Sequence, residues 1–212
     1  MPPNTYQIRL CTACGLRYPL VENHPFGERC PSCLGTTELV SSHRLDHQPA
    51  TLATKQNTQF DVLLDNVRSA WNVGSIFRTA DGLGASKIYL CGITPTPENE
   101  SVQKTALGAE NTVTWNYSRN ALETATELKL EGYKLIALEQ DERATSLGDL
   151  SASLSFTQGE KLILILGNEV TGVDPALLDL CDQIVQIPMR GQKRSLNVEV
   201  AFAIAAHHIL CE

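Results

Sequence analysis

The sequence predicts an α/β domain built on a parallel sheet and preceded by a small module tied together by four cysteines. Three observations carry that expectation. From Phe60 onward, short apolar runs alternate with segments of helical periodicity. One of those runs, LILIL at residues 162–166, is apolar at every position, as a strand covered on both faces must be. Ahead of this region, four cysteines fall into two C-x2-C pairs, CTAC and CPSC.

The cysteine module comes first in the chain. Cys11, Cys14, Cys30 and Cys33 stand in the spacing C-x2-C-x15-C-x2-C, that of a four-thiolate zinc site. Each pair wraps one side of a tetrahedral ion, and the residues between them form a short hairpin. Four protein ligands leave no open position for water, so the expected Zn2+ is structural, and its binding stabilises a module (residues 1–40) too small to fold alone. Arg9, Arg17 and Arg29 lie in this module, and the sequence leaves open whether they meet RNA or only solvent. Residues 41–59, SSHRLDHQPATLATKQNTQ, are polar, contain a proline and show no apolar period, which predicts a linker carrying two exposed histidines, His43 and His47. Cys91, Cys181 and Cys211 have no partner spacing and are expected to be small buried apolar groups.

The bulk numbers bound the function. The 212 residues are 42% apolar and 19% charged, those of an ordinary soluble protein with one well-filled core and a small appendage. No apolar run approaches ~18 residues and residues 1–30 lack a secretory pattern, so a cytoplasmic protein with no membrane span is expected. In the cytoplasm, disulfides are the weaker use of the cysteines. The net charge of −7 argues mildly against nucleic acid. The charge is uneven, however: residues 1–59 carry +1 (5 Lys+Arg against 4 Asp+Glu) and residues 60–212 carry −8 (12 against 20).

The second domain, 60–212, reads as strands at 62–65, 87–92, 112–115, 134–139, 162–166 and 183–187 with helices between most of them. Ligands bind at the C-terminal ends of such strands, and three loops there are unusual. After the first strand, DNVRSAWNVGSIFRTADGLG predicts a helix from Asn72, its N-cap, to Asp81, ended by Gly82. Val73, Ile76, Phe77 and Ala80 form its buried stripe, and Ser75 and Arg78 lie on the polar face. After residues 162–166, GNEVTGVDP places Glu169 between Gly167 and Gly172, where a charge beside a buried strand end needs a partner or water. Asp174 and Pro175 make an N-cap and N1 pair for the helix that follows.

The third loop, IPMRGQKRSLNVEVAFAIAA, sets Arg190, Lys193 and Arg194 ahead of an apolar helix with Ser195 as its expected N-cap. Cations are disfavoured before a helix N-terminus by ~0.3–1 kcal/mol each. Their presence predicts an anion-binding edge. The helix is apolar on nearly every side, which predicts burial in a core or between subunits. No P-loop, no dinucleotide-binding glycine pattern and no H-E-x-x-H spacing occurs.

Together NVGSIFRTADGLG, LILGNEVTGV and IPMRGQKRSLNVEVAFAIA resemble, in order and spacing, the three motifs of the SpoU/TrmH family of RNA ribose methyltransferases in the SPOUT superfamily. The resemblance covers about residues 60–210. It implies a SPOUT domain with a C-terminal trefoil knot, S-adenosyl-L-methionine as cofactor, tRNA or rRNA as substrate, and a homodimer built partly through the last helix. It places the cofactor against Leu138, Glu139, Gln140, Gly167, Asn168, Glu169, Gly172, Ile187, Met189, Ser195 and Leu196. Asn72, Arg78, Glu169 and Asn197 fall on the functional polar positions, with Arg78 as a phosphate clamp or, on the contrary proposal, a base. Val170 and Glu199 depart from the glycine and serine more common at those places. The alternative is a non-catalytic RNA-binding or assembly protein that kept the fold.

Overall fold

The computed structural model describes residues 5–22, 24, 27–45, 59–152 and 159–211. The chain divides into two compact units, Met1–Leu52 and Ala53–Glu212.

In the first unit, strands β1 (Thr5–Cys11), β2 (Arg17–Val21) and β3 (Thr37–Arg44) form an antiparallel sheet in the order β2-β1-β3. Cys11 closes β1, and its carbonyl accepts the Gly15 N–H at 3.0 Å; Cys30 repeats the turn through the Leu34 N–H at 2.9 Å. Both turns need a residue at positive φ, supplied by Gly15 (74°) and Leu34 (58°). Arg9 is only 5% exposed, and its guanidinium donates to Gln7 Oε1, Thr37 Oγ1 and the Thr37 carbonyl. Of the three arginines left open above, this one is buried and ties β1 to β3. The expected hairpin gains a third strand. The polar run read as a linker starts inside β3, where His43 stacks on Tyr6 with ring centroids 5.1 Å apart, and Gln59 already belongs to the next strand. Residues 46–58, with His47, lie outside the described residues.

In the second unit, β4 (Gln59–Asp65), β5 (Lys87–Cys91), β6 (Thr114–Ser118), β7 (Tyr133–Leu138), β8 (Thr145–Ser146), β9 (Lys161–Leu166) and β10 (Gln183–Gln186) form one sheet in the order β6-β5-β4-β9-β7-β10-β8. Every pairing in it is parallel. The all-apolar run is β9, paired with β4 on one side and β7 on the other. Its side chains alternate faces as a two-residue period demands. Leu162, Leu164 and Leu166 join the core beneath helices α1 (Ala70–Leu83), α2 (Glu100–Ala106) and α5 (Val198–Cys211). Ile163 and Ile165 join the opposite core beneath α3 (Ala121–Leu130) and α4 (Pro175–Leu180). Each fully buried residue of this kind contributes roughly 1.5–3 kcal/mol.

Two helix starts differ from expectation. Helix α1 begins earlier because Ser69, not Asn72, caps it, accepting the Asn72 N–H at 3.3 Å, and it ends at Gly84 in the left-handed region. Helix α5 begins at Val198, and Asn197 rather than Ser195 accepts the Glu199 N–H at 2.9 Å. Helix α4 starts as expected, with the Asp174 carboxylate accepting the Ala176 N–H at 2.8 Å. Cys91 is buried and Cys181 half-buried. Among the described residues no helix is long and apolar enough to cross a membrane.

Candidate active site

The C-terminal ends of β4, β7, β9 and β10 release the loops that build the site, and buried polar groups fix those loops. Asp65 at the end of β4 is 3% exposed and accepts N–H groups from Asn66 (Nδ2, 2.7 Å) and Asp174 (backbone, 3.0 Å); burial pushes its carboxyl above the usual carboxylate range. The Asn168 amide donates to the Asn66 carbonyl at 2.8 Å, and its Oδ1 accepts the N–H groups of Val170 and Thr171. An asparagine that bonds the backbone two and three residues onward shapes the turn itself. Gly172 closes the turn at φ 73°; a Cβ there would lie 2.3 Å from Glu139 Oε2. A Cβ on Gly167 would lie 2.2 Å from the Gly172 carbonyl carbon. Gly167 is therefore required by close backbone approach, and Gly172 by its left-handed backbone, since the Glu139 carboxylate could move aside.

The loops enclose a cavity of about 400 Å³. Leu138, Glu139, Gln140, Gly167, Asn168, Glu169, Gly172, Ile187, Met189, Ser195 and Leu196 all line it, joined by Leu166, Val170, Gln186, Asn197, Val198 and Ala201. The size is that of a small-molecule site, and the mixture of apolar walls with a few placed amides is what such a site needs. Glu139 is partly spent on structure: its carboxylate accepts N–H groups from Val173 at 3.0 Å and Gln140 at 2.8 Å. The Gln140 amide in turn donates to the Arg194 carbonyl, tying the loop after β7 to the loop before α5.

Three of the four polar residues singled out by sequence meet at the mouth of this cavity. The Glu169 carboxylate accepts the backbone N–H groups of Arg68 and Ser69, each at 3.0 Å, and the Asn72 amide at 3.0 Å. Asn72 Oδ1 accepts the Asn197 amide, also at 3.0 Å. Burial works to raise the Glu169 pKa, but these donors outweigh it and hold the carboxyl below the usual range. Arg78 stands apart from that chain. It is exposed and lines a second hollow of about 530 Å³ with Ser75, Thr79, Lys104, Thr105, Leu107 and Glu199. Arg190, Lys193 and Arg194 are exposed and do not line the first cavity, though their loop supplies Met189, Ser195 and Leu196 to it.

The sequence pattern did not single out Asp65, Asn66, Ser69 or Lys104. Ser69 had a legible signal, a capping residue three positions before Asn72; Asp65 and Asn66 act across 27 to 109 residues of sequence, and Lys104 gains its place only from the packing of two helices, so these had none.

The four thiols of the first unit form a cluster of their own. Their sulfurs all lie within 4.8 Å of one another, with Cys11 and Cys33 3.5 Å apart and Cys14 and Cys30 3.6 Å apart. A tetrahedral zinc with Zn–S near 2.3 Å sets its sulfurs roughly 3.8 Å apart, whereas a disulfide needs about 2.05 Å. The donor set fits the metal and excludes a bond. Crowding shows in the acidities: the Cys14 N–H helps bring the Cys11 thiol down to about 6. Cys33 receives the Gly35 N–H, yet its thiol neighbours push it up to about 12.

Comparison with known proteins agrees with this geometry. The chain is 34% identical over 148 residues to the 23S rRNA (guanosine(2553)-2'-O)-methyltransferase RlmP of Bacillus subtilis, covering 70% of this chain and 56% of that protein. It is 32% identical over 146 residues to the 23S rRNA (guanosine-2'-O-)-methyltransferase RlmB of Bordetella pertussis, covering 69% and 57%. The chain thus spans somewhat over half the length of these relatives. Among solved structures, the SpoU methyltransferase AviRb of Streptomyces viridochromogenes is similar at 26% identity and a TM-score of 0.62, over 74% of this chain and 60% of that one. The A. aeolicus TrmH/SpoU tRNA modifying enzyme is similar at 25% identity and a TM-score of 0.62, over 73% and 75%. Residues 59–207, which hold every strand of the parallel sheet and both hollows, match the family model described as SpoU rRNA Methylase, and the chain belongs to that family.

Proposed function

We propose that this chain transfers a methyl group from S-adenosyl-L-methionine to a ribose 2′-hydroxyl of rRNA or tRNA. One observation carries the reading: eleven residues assigned to the cofactor on sequence grounds converge on one cavity, at whose mouth Asn72, Glu169 and Asn197 form a hydrogen-bonded chain. The cofactor, when bound, supplies an electrophilic methyl. Leu138, Leu166, Ile187, Met189 and Leu196 would hold its apolar parts, and Asn168 and the backbone of the three loops its polar ones. The Glu169 carboxylate would supply negative charge to a cavity that takes a cationic sulfonium.

With the cofactor bound, transfer would be an in-line displacement that breaks a C–S bond, leaving a neutral thioether, and forms an O–C bond, while the hydroxyl proton passes to a phosphate oxygen of the RNA and on to water. Positioning supplies much of such a rate. Asn72 is well placed for it, since its amide is locked between Glu169 and Asn197 and cannot flip without losing both bonds. Glu169 is a poor acceptor for the proton because three N–H donors already hold its charge. Arg78, whose guanidinium offers only donors in a planar fork, serves as a clamp on the neighbouring phosphate, stabilising charge as it develops.

Four further expectations belong to the same reading. The cysteine cluster holds one structural zinc; the insertion of β10 between β7 and β8 belongs to a trefoil knot; two chains pair through the open face of α5; and the protein works in the cytoplasm with its RNA. The test is calorimetry of S-adenosyl-L-methionine with the full chain, joined to mass spectrometry of nucleosides from cells with and without the gene. Binding near one per chain and the loss of one 2′-O-methylated nucleoside are expected. Cofactor binding with no nucleoside change, or no binding at all, would overturn the enzyme and leave an RNA-assembly role.

A further inference from the structure

The hollow beside Arg78 is built from two helices that could not approach each other if Gly74 carried a side chain. A Cβ there would sit 1.9 Å from Thr105 Oγ1 and 2.3 Å from the Val102 carbonyl, so α2 lies directly on the α1 backbone. That approach sets Lys104 and Thr105 of α2 beside Ser75, Arg78 and Thr79 of α1, with Glu199 of α5 closing the hollow. It presents two cations, three hydroxyls and one carboxylate. Glu199 is already engaged by the Thr79 hydroxyl at 3.0 Å. Lys104 is 65% exposed and among the described residues is ion-paired only with Glu100, at 3.5 Å and itself 85% exposed, a pairing weak enough to exchange for another anion. The first turn of α5 joins this hollow to the cofactor cavity: Asn197 lines the one, Glu199 lines the other, and the Glu199 N–H donates to Asn197 Oδ1.

We propose, resting on the RNA methyltransferase reading, that this hollow seats a backbone phosphodiester of the RNA and that Lys104 is a positioning residue holding it together with Arg78. A planar guanidinium fork and a compact ammonium are two donor types that phosphate sites combine, and the hydroxyls of Ser75 and Thr105 add neutral donors. Contact with a phosphate releases a counterion whatever the sequence, so the signature of Lys104 is the salt dependence of binding.

The test measures binding of a labelled, unmodified 23S rRNA transcript to the full chain from 50 to 200 mM salt, for the wild type, Lys104→Ala and Lys104→Arg. Lys104→Ala should weaken binding about three- to tenfold at the lower salt and reduce the slope of log affinity against log salt by about one. Lys104→Arg should restore both. Affinity for S-adenosyl-L-methionine should stay within twofold in both variants, which shows that they are folded. An unchanged slope in Lys104→Ala overturns the proposal, as does the lack of salt-dependent RNA binding by the wild type. A wild type that binds RNA but not S-adenosyl-L-methionine would instead sink the methyltransferase reading, leaving the slope to report on the hollow.

Discussion

Asn72 and Arg78 sit six residues apart on one helix, yet the structure gives them different surroundings. Asn72 is held on both sides by hydrogen bonds, whereas Arg78 is exposed and among the described residues makes no ion pair. Arg78→Ala should therefore change folding by less than ~0.5 kcal/mol in a urea titration. If the arginine clamps a phosphate during transfer, the same change should lower turnover about a hundredfold or more, while leaving cofactor affinity alone. Near-normal turnover would make it a surface residue only. A second residue-scale expectation concerns Asp61, fully buried in β4 and bonded by the Tyr133 hydroxyl at 2.8 Å. Burial is the main cause raising its pKa. The folded chain then binds this proton more tightly than the unfolded chain, so stability falls as pH rises from about 4, the ordinary carboxylate value, through the raised one. Asp61→Asn should flatten that fall when urea midpoints at about pH 4 and pH 8 are compared with the wild type. An equally steep fall in the variant would assign it to other groups, with Asp65 the first candidate.

Among the elements, the contact between α1 and α2 decides most about the second hollow. Helix propensity alone favours Gly74→Ala by ~1 kcal/mol. The clash is larger, because the Val102 carbonyl belongs to the α2 backbone and cannot rotate away as a side chain would. A net destabilisation of about 1–3 kcal/mol is expected in urea unfolding, with weaker RNA binding alongside as Lys104 moves. A neutral or stabilised variant would mean that α2 shifts freely. Six of the seven strands were legible as elements, β9 and its neighbours because they bury both faces, though the run read at 112–115 is the strand at 114–118 and the two-residue β8 was missed; the apolar stripe of α1 was legible because it is buried. The start of α4 was legible in Asp174 and Pro175, but those of α1 and α5 were not: Ser69, Asn72, Ser195 and Asn197 are all capping types, and only the fold shows that Asn72 is needed elsewhere while Asn197 caps α5. In the cysteine module the third strand was missed because Thr37–Arg44 is polar and mostly exposed, with no apolar alternation to betray it.

For the molecule as a whole, α5 is the informative part. Its inner side, with Phe202, Ala205, Ala206 and Ile209, is buried in the core, but Val200 and Ile204 are 41% and 42% exposed on a stripe that continues to His207. Burial all round, expected from composition, is thus incomplete within one chain, and a second copy would supply the remainder. Ile204→Glu should shift the protein from dimer to monomer in sedimentation velocity, with the fold retained by circular dichroism. A wild type that is already monomeric at micromolar concentration would refute the pairing.

The sequence by itself determined the α/β class and the cysteine quartet, through residue periodicity and C-x2-C spacing, and its glycines and capping residues marked the loops after β9 and β10 as unusual. That these loops and the one after β7 would hold a cofactor followed only from the resemblance to the SpoU/TrmH family. Only the tertiary structure decided that Glu169 grips the start of α1, that Asn197 reaches Asn72 across 125 residues, and that Arg78 and Lys104 share a hollow apart from the cofactor cavity. The reason is physical. A side chain's hydrogen-bond partners are set by which strand ends the sheet order brings together, and with β9 inserted between β4 and β7, that order is not the order of the chain.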